Sequence, residues 1–478
     1  MAETQQHENK MGTMAVGKLL VTMSVPLILS NLVQALYNVV DSIFVSRITT
    51  QEQIYDEAGN LISAGTDAIS ALGLAFPVQI VIIALAIGTS IGVSSLLSRS
   101  LGEKDQKTAD LAAVHGLFLM ACSYLVSLFI GLFLADKLIA GQGAVGRQLE
   151  YGTTYLRLIC CCSFFVYMEI MLERLLQSTG RSHLSMIPQM TGAVINCIMD
   201  PILIYGLLGA PKLGVAGAAL ATVFGQFVAT CIGIFRNLKK NPDIHFAIRG
   251  FRPDLQIIKN IYAVGLPAIV MQAIGSVMNF GMNSILLGLN RSAVAVFTVY
   301  YKLQSFFFMP IFGLNSSLVP IIAYNYGARR RDRMQKVYRL SLIAGFCMLF
   351  LGFLAFELIP GQLIRIFDTG DASLMTVGIP ALRIIGVHYL LAWYCILTGS
   401  VFQALGNGVY SLVVSILRQL LALLPAAWLL GRLAGLAGVW WAFPIAELVS
   451  LATTVFYYLK IKQNVIDRIP LSPDPEQT

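Results

Sequence analysis

The feature that most constrains this chain is a series of long apolar runs. Twelve of them reach the roughly 20 helical residues needed to cross a bilayer core. Their approximate bounds are 18–47, 68–98, 109–134, 153–176, 184–208, 213–235, 260–288, 293–325, 337–359, 376–402, 408–430 and 436–460. The first, seventh and eighth are longer than a crossing needs, so they tilt or protrude. Only 12% of the residues are charged and 56% are hydrophobic, against about 25% charged in ordinary globular proteins. That is too little charge to cover soluble domains, and too much apolar and aromatic side chain for disorder. The expected fold class is an all-α polytopic membrane protein with twelve transmembrane helices in two six-helix lobes.

A net charge of +8 raises the question of nucleic acid. The placement of the charge answers it. With the N-terminus in the cytoplasm, 22 of the 33 Lys and Arg residues fall on cytoplasmic segments and 9 on external ones. Lys302 and Arg418 lie inside spans. This is the bias that orients membrane helices, and it places both termini inside. The dense basic segments Arg236–Lys259 and Arg329–Arg339 then face anionic headgroups. Met1–Lys10 lacks the apolar stretch of a cleaved signal peptide. The eight cysteines form no CxxC pair, and Cys160, Cys161 and Cys162 read as small buried hydrophobes.

The chain also repeats itself. GTTYLRLI at 152–159 aligns with GIPALRII at 378–385, and the same offset pairs Gln177 with Gln403 and Gly180 with Gly406. Nearby offsets pair Gly88 with Gly313, Gly102 with Gly327, Pro26 with Pro267, Gly214 with Gly435 and Asn38 with Asn279. The expected organisation is a cytoplasmic tail (1–16), a first lobe (17–236), a linker (237–256), a second lobe (257–461) and a second tail (462–478). Parallel halves of this kind are a transporter architecture with the site between them.

No GxxxxGK[ST] phosphate loop occurs, so the chain is not expected to hydrolyse ATP or to be an enzyme, and no cofactor is implied. His115 and His388 are isolated in spans and read as core histidines. Ionisable residues within the bilayer cost about 2.5–3.5 kcal/mol each, which makes them functional candidates. Asp41 in the first span shares a helical face with Tyr37 and Asn38. Asp200 in the fifth has Asn196 one turn before it and Pro201 after it. Counting at about 1.5 Å per residue puts Asp41, Asp200 and Thr222 roughly 9, 15 and 12 Å below the outer end. Two carboxylates among amide, phenol and hydroxyl oxygens can share a proton or ligate Na⁺. They can also serve as hydrogen-bonding nodes between helices. The repeat sets Met282 against Asp41 and Ala426 against Asp200, which confines ion handling to the first half. The second half carries Lys302, Arg418 and Glu447 within its spans; Lys302 and Glu447 sit at equal depth and suit a structural ion pair, with a substrate or second coupling site as the alternative. Glu169, Glu173 and Arg174 read as interfacial pairing at the inner end. Pro26, Pro188, Pro201, Pro267, Pro310, Pro320, Pro380, Pro425 and Pro444 lie inside or at the mouths of the spans, where breaks are tolerated and can act as hinges.

Several segments, in order, resemble the multidrug and toxic compound extrusion (MATE) family. They are PLILSNLVQALYNVVDSIFVSRI with ALGLAFP, LLQSTGRSHLSMIPQMTGAVINCIMDPILIYG with LGVAGAALATVFGQ, MPIFGLNSSLVPIIAYNYGARRRDR, and VFQALGNG. Together they cover about residues 17–460. The resemblance implies a twelve-helix exporter of organic, cationic or amphiphilic drugs in exchange for H⁺ or Na⁺. It implies a monomer in a bacterial or archaeal inner membrane. Similarity to the DinF-like branch implies a coupling-ion site at Asp41 and Asp200, with Tyr37, Asn196 and Thr222 beside it. The seventh span, LPAIVMQAIGSVMNF, lacks the acidic residue of the NorM-like branch. The external loop Thr49–Asp67 is longer than the family pattern, and its Glu52, Asp56, Glu57 and Asp67 suggest cation attraction. Two rival readings are a flippase for a lipid-linked or amphiphilic substrate and a channel or membrane receptor. Lys302 and Arg418 are too few deep basic residues for the cationic cavity a flippase needs, and the repeat disfavours a channel.

Overall fold

The computed structural model describes residues 9–48, 54–55, 61–62, 64–246, 251–289, 291–366 and 372–470. The first half comprises α1 (Lys10–Thr13), α2 (Val16–Ser46), α3 (Ala64–Gly102), α4 (Gln106–Phe133), α5 (Ala135–Ala140), α6 (Gly146–Cys161), α7 (Phe164–Ser178), α8 (Ser182–Tyr205) and α9 (Val215–Lys240). The second comprises α10 (Leu255–Leu287), α11 (Arg291–Gly327), α12 (Arg331–Leu358), α13 (Pro360–Arg365), α14 (Ala372–Gly386), α15 (Tyr389–Ala404), α16 (Gly408–Ile416), a π-helical segment (Leu417–Leu423) and α17 (Leu424–Ile461). Among the described residues, the only strands are β1 (Ile54–Tyr55) and β2 (Leu61–Ile62), an antiparallel pair in the external loop.

Among the described residues, nine helical stretches are long and apolar enough to cross a membrane, and two bent pairs, α6–α7 and α14–α15, pass the same test when each is counted as one broken crossing. The last stretch, Gly408–Ile466, folds back on itself at Gly435 (φ 61°), so that Gly438 lies against the Leu430 carbonyl. Divided there, the chain makes twelve crossings. The prolines lie within the helices, as expected, and the two sharp bends between helices fall elsewhere. Pro26, Pro77, Pro188, Pro201, Pro267, Pro310, Pro320, Pro380 and Pro444 all sit inside helices. The bends of 47° and 50° fall instead after α6 and after α14. There Ser163 Oγ donates to the Cys160 carbonyl at 2.8 Å, and His388 Nδ1 donates to the Ile385 carbonyl at 2.6 Å. Each carbonyl also accepts the same residue's amide, at 3.3 and 3.0 Å, so the chain tightens to a three-residue turn at the bend. Pro425 does act on its helix. It cannot donate to the carbonyl one turn back, and the π-helical segment precedes it.

The repeat is visible in backbone conformation. Gly180 and Gly406 both have φ 81°, and Gly214 and Gly435 have φ 54° and 61°. Lys104 and Arg329, at the offset that pairs Gly102 with Gly327, share the left-handed region at 61° and 55°. Three apolar clusters hold the helices. One runs from Val45 to Ile261 and a second from Met282 to Ala446. The third joins the start of α2 to the ends of α11 and α15 and to Ile461, Ile466 and Ile469. Thus α2 begins on second-half residues, and α10 begins on the first-half cluster through Ile257 and Ile261.

The two halves meet through small residues. Gly88 and Gly92 of α3 face Gly265 and Ile261 of α10, while Gly313 of α11 faces Ile28 of α2. Where α3 crosses α11, Gly102 lies against the Tyr324 carbonyl and Gly327 against the Arg99 carbonyl. Lipid gives helices no hydrophobic reason to associate, so close backbone approach and interhelical hydrogen bonds do that work. Ser24 and Ser317 hydroxyls are 2.7 Å apart, and Ser95 Oγ donates to the Gln403 carbonyl at 2.9 Å. At the same end a strap formed by Asn9–Met14 bridges the halves. Asn9 donates to the Thr179 carbonyl at 3.0 Å, and Asn325 donates to the Met11 carbonyl at 3.2 Å. Arg333 donates to the Met14 carbonyl at 2.5 Å. These contacts seal the end that carries the basic loops.

Candidate functional site

A cavity of about 980 Å³ lies between the halves, lined by residues of α2, α3, α7, α8 and α9 on one side and of α10, α11, α15, α16 and α17 on the other. Tyr37, Asn196 and Thr222 are on its wall. Asp41 and Asp200 stand behind them. Asp200 is fully buried and close enough to Asp41 to feel its charge, as are Tyr37 and Tyr155. The residues predicted at similar depth on three helices are therefore brought together. With its amide nitrogen turned to the carboxylate, Asn196 donates to Asp200 Oδ2 at 3.2 Å and sets its oxygen 3.2 Å from Thr222 Oγ1. Gln34 Nε2 donates to the Tyr37 hydroxyl at 3.1 Å, which orients the phenol one turn from Asp41. Oδ1 of Asp41 and Oδ1 of Asp200 are buried and accept no hydrogen bond. Two orphaned carboxylate oxygens beside amide and hydroxyl oxygens suit a shared proton or a hard monovalent cation. The side chain of Asn38 lies outside the described residues.

In the second half the predicted partner of Glu447 is corrected. Glu447 pairs with Arg418, at 3.6 Å from Nη1 to Oε2, and both line the cavity. Lys302 is exposed. Depth along the sequence suits both basic residues, but it says nothing of which face of α11 turns inward. Arg418 comes from the π-helical segment, where the extra residue per turn shifts the face presented. Glu447 is 4% exposed and Arg418 28%. We predict that Arg418→Ala, which leaves Glu447 buried without its cation, destabilises the protein by about 3 kcal/mol. Arg418→Met with Glu447→Leu recovers most of that loss. Thermal melts in detergent check both variants, and equal melting of the single and double variants would contradict the pairing.

Two more expectations change. Glu169, Glu173 and Arg174 do not sit in an interfacial pairing away from the site; all three line the cavity. Asp67 of the long external loop is not a free attractor of cations. It is buried, accepts from Arg147 Nε at 2.7 Å and from Gln148 Nε2 at 3.1 Å, and so ties α3 to α6. Glu52, Asp56 and Glu57 lie outside the described residues. His115 is the bridging core histidine expected, with Nδ1 2.7 Å from the Leu111 carbonyl and Nε2 accepting the Asp254 amide at 2.8 Å. No group of three metal-ligating side chains occurs among the described residues.

The MatE family model matches residues 58–202 and 267–429, one stretch in each half and more than half of the chain in all. The chain belongs to the MatE family. Multidrug export protein MepA of Staphylococcus saprophyticus is 27% identical over 450 residues, covering 94% of this chain and 95% of MepA. The Staphylococcus haemolyticus protein of the same name is 26% identical over 454 residues, covering 94% of this chain and 95% of its own length. Among solved structures, an outward-facing multidrug resistance MATE transporter of the MOP superfamily superposes with a TM-score of 0.86 at 27% identity. That match covers 96% of this chain and 99% of the other. A MOP superfamily transporter from Pyrococcus furiosus, described as having a reversed pocket polarity and a different function, superposes at 0.84 with 26% identity. It covers 98% of this chain and all of the other. This MatE protein is thus a multi-pass membrane protein of a transporter family, with twelve crossings in two halves.

Proposed function

We propose that this MatE protein is a secondary active exporter of drug-like organic cations and amphiphiles, driven by H⁺ or Na⁺ entering at Asp41 and Asp200. The observation that carries the reading is the separation of two sites on one wall. A carboxylate pair, Asp200 fully buried and Asp41 partly so, sits behind Tyr37, Asn196 and Thr222, and a cavity large enough for a drug-sized molecule lies in front of them. An ion that binds the pair changes the charge and hydrogen bonding of α2 and α8, and α2 also packs on the second half. That gives ion occupancy a mechanical route to the contact between halves. The driving force is adequate: a tenfold ion gradient supplies about 1.4 kcal/mol, and 100 mV adds about 2.3 kcal/mol per charge moved. The multidrug names of the MepA relatives and of the MATE structures support a broad cargo range. We place the protein in the cell membrane with both termini cytoplasmic, working as a monomer and without ATP.

The flippase reading calls for a strongly cationic cavity. The wall here carries Glu169, Glu173 and Glu447 against Arg174 and Arg418, an excess of carboxylates. Uptake of a fluorescent organic cation into proteoliposomes, under a pH gradient and a Na⁺ gradient imposed separately, tests the proposal. One of the two gradients is expected to drive accumulation. Accumulation under neither would refute coupling.

A further inference from the structure

We propose that Glu169, Glu173 and Gln177 of α7 form a cargo subsite that holds a protonated amine. The inference deepens the export reading and rests on it for the direction of transport, though not for binding. These residues are spaced four apart, so they form a single stripe on α7, and all three line the cavity. The acids alone would not make a site. The second observation is Gln177, which carries no charge, is 7% exposed and has an Oε1 that accepts no hydrogen bond. Glu173 is equally buried, and its Oε1 is likewise without a donor.

Two orphaned acceptors one turn apart at a cavity wall call for a ligand that brings N–H donors. A buried acceptor left unmade is costly, and a charge-assisted bond to a carboxylate is among the stronger ones. A protonated amine or amidine supplies both the charge and the donors. A quaternary ammonium supplies only the charge. Arg174, also on the cavity wall, lies close enough to Glu173 to attract it, which leaves Glu169 as the acid of the stripe without a basic neighbour of that kind. On the facing helix, Gly192 of α8 lies beside that carboxylate, with a Cβ position 3.6 Å from Glu169 Oε1. Among titratable groups on other elements, Tyr37 of α2 lines the same cavity. Tyr37 feels Glu169 and both aspartates.

The test uses purified full-length protein in detergent and two matched probes, benzylammonium and benzyltrimethylammonium. They share ring and charge and differ in N–H donors. Equilibrium dialysis of the radiolabelled probes should show that the wild type prefers benzylammonium. Gln177→Leu, which removes an acceptor and no charge, should weaken benzylammonium about tenfold and move benzyltrimethylammonium less than threefold. Glu169→Gln should weaken both probes. Glu173→Gln should weaken both, benzylammonium more. Equal binding of the two probes by the wild type, or unchanged benzylammonium binding in Gln177→Leu and Glu173→Gln, would overturn the assignment. Thermal melts establish that each variant is folded. If these binding results hold but no ion gradient drives transport by the wild type, the export reading fails and the subsite stands. If transport is ion-driven but the variants bind as the wild type does, only the subsite fails.

Discussion

Asp41→Asn and Asp200→Asn each abolish ion-driven export in reconstituted vesicles, with a fall of about a hundredfold or more, and leave the folded protein intact. The size follows from what the carboxylates do. Charge-assisted hydrogen bonds are worth about 1.5–3 kcal/mol each, so losing two at one ion site removes about two orders of magnitude or more of affinity. The indifference of folding follows from the same geometry. Each carboxylate has a buried oxygen with no donor, so the ionised form gains little from the protein around it. An amide of the same shape carries no charge to desolvate. Asn196→Ala and Thr222→Val, which remove supporting ligands and no charge, should cost nearer tenfold. Initial transport rates under the effective gradient, with melting curves for the same preparations, check all four. Wild-type export by either aspartate variant would remove the ion pair from the mechanism.

The second large effect is on the contact between halves. Gly327→Leu and Gly102→Leu should destabilise the protein by about 3 kcal/mol each, at the upper end of the usual cost of overpacking. At both positions a side chain would meet a backbone carbonyl of the facing helix, of Arg99 and Tyr324 respectively, and backbone has nowhere to go. The helices must then separate, and α3 and α11 also carry the serine contacts that close the basic end. Helix propensity acts in the opposite direction, since leucine gains about 0.8 kcal/mol over glycine. The comparison with Gly73→Leu isolates the crossing. Gly73 lies in the same helix, is exposed and has nothing within 4 Å of a Cβ. That variant should melt at or slightly above the wild type. Equal melting of all three leucine variants would show that the close approach is not what joins the halves.

Much of the site is legible in the amino-acid sequence, and the reason is scarcity. In a chain with 12% charged residues, a carboxylate within a span stands out, and counting residues from a helix end fixes its depth. That is enough to bring together Asp41, Asp200, Asn196 and Thr222. It fails for Glu447. Lys302 and Arg418 are both basic, both within spans, and depth does not choose between them. The choice is made by rotation about the helix axis, which the π-helical segment alters at Arg418 and which no count along the chain records. Glu169 and Glu173 mislead for a related reason. Near the end of a span, a charged residue reaching the headgroups and one lining an internal cavity have the same sequence signature.

What the sequence by itself determined is therefore the set of crossings, the repeat and the depth of each polar residue. These follow from a one-dimensional quantity, the length of apolar chain needed to pass through lipid. What only the tertiary structure decided is direction around each helix and the place of each bend. The two sharp bends fall beside Ser163 and His388, whose side chains donate to the Cys160 and Ile385 carbonyls. The acidic stripe of α7 acquired its meaning from the helices set opposite it, and that arrangement depends on glycines too small to announce which surface they will meet.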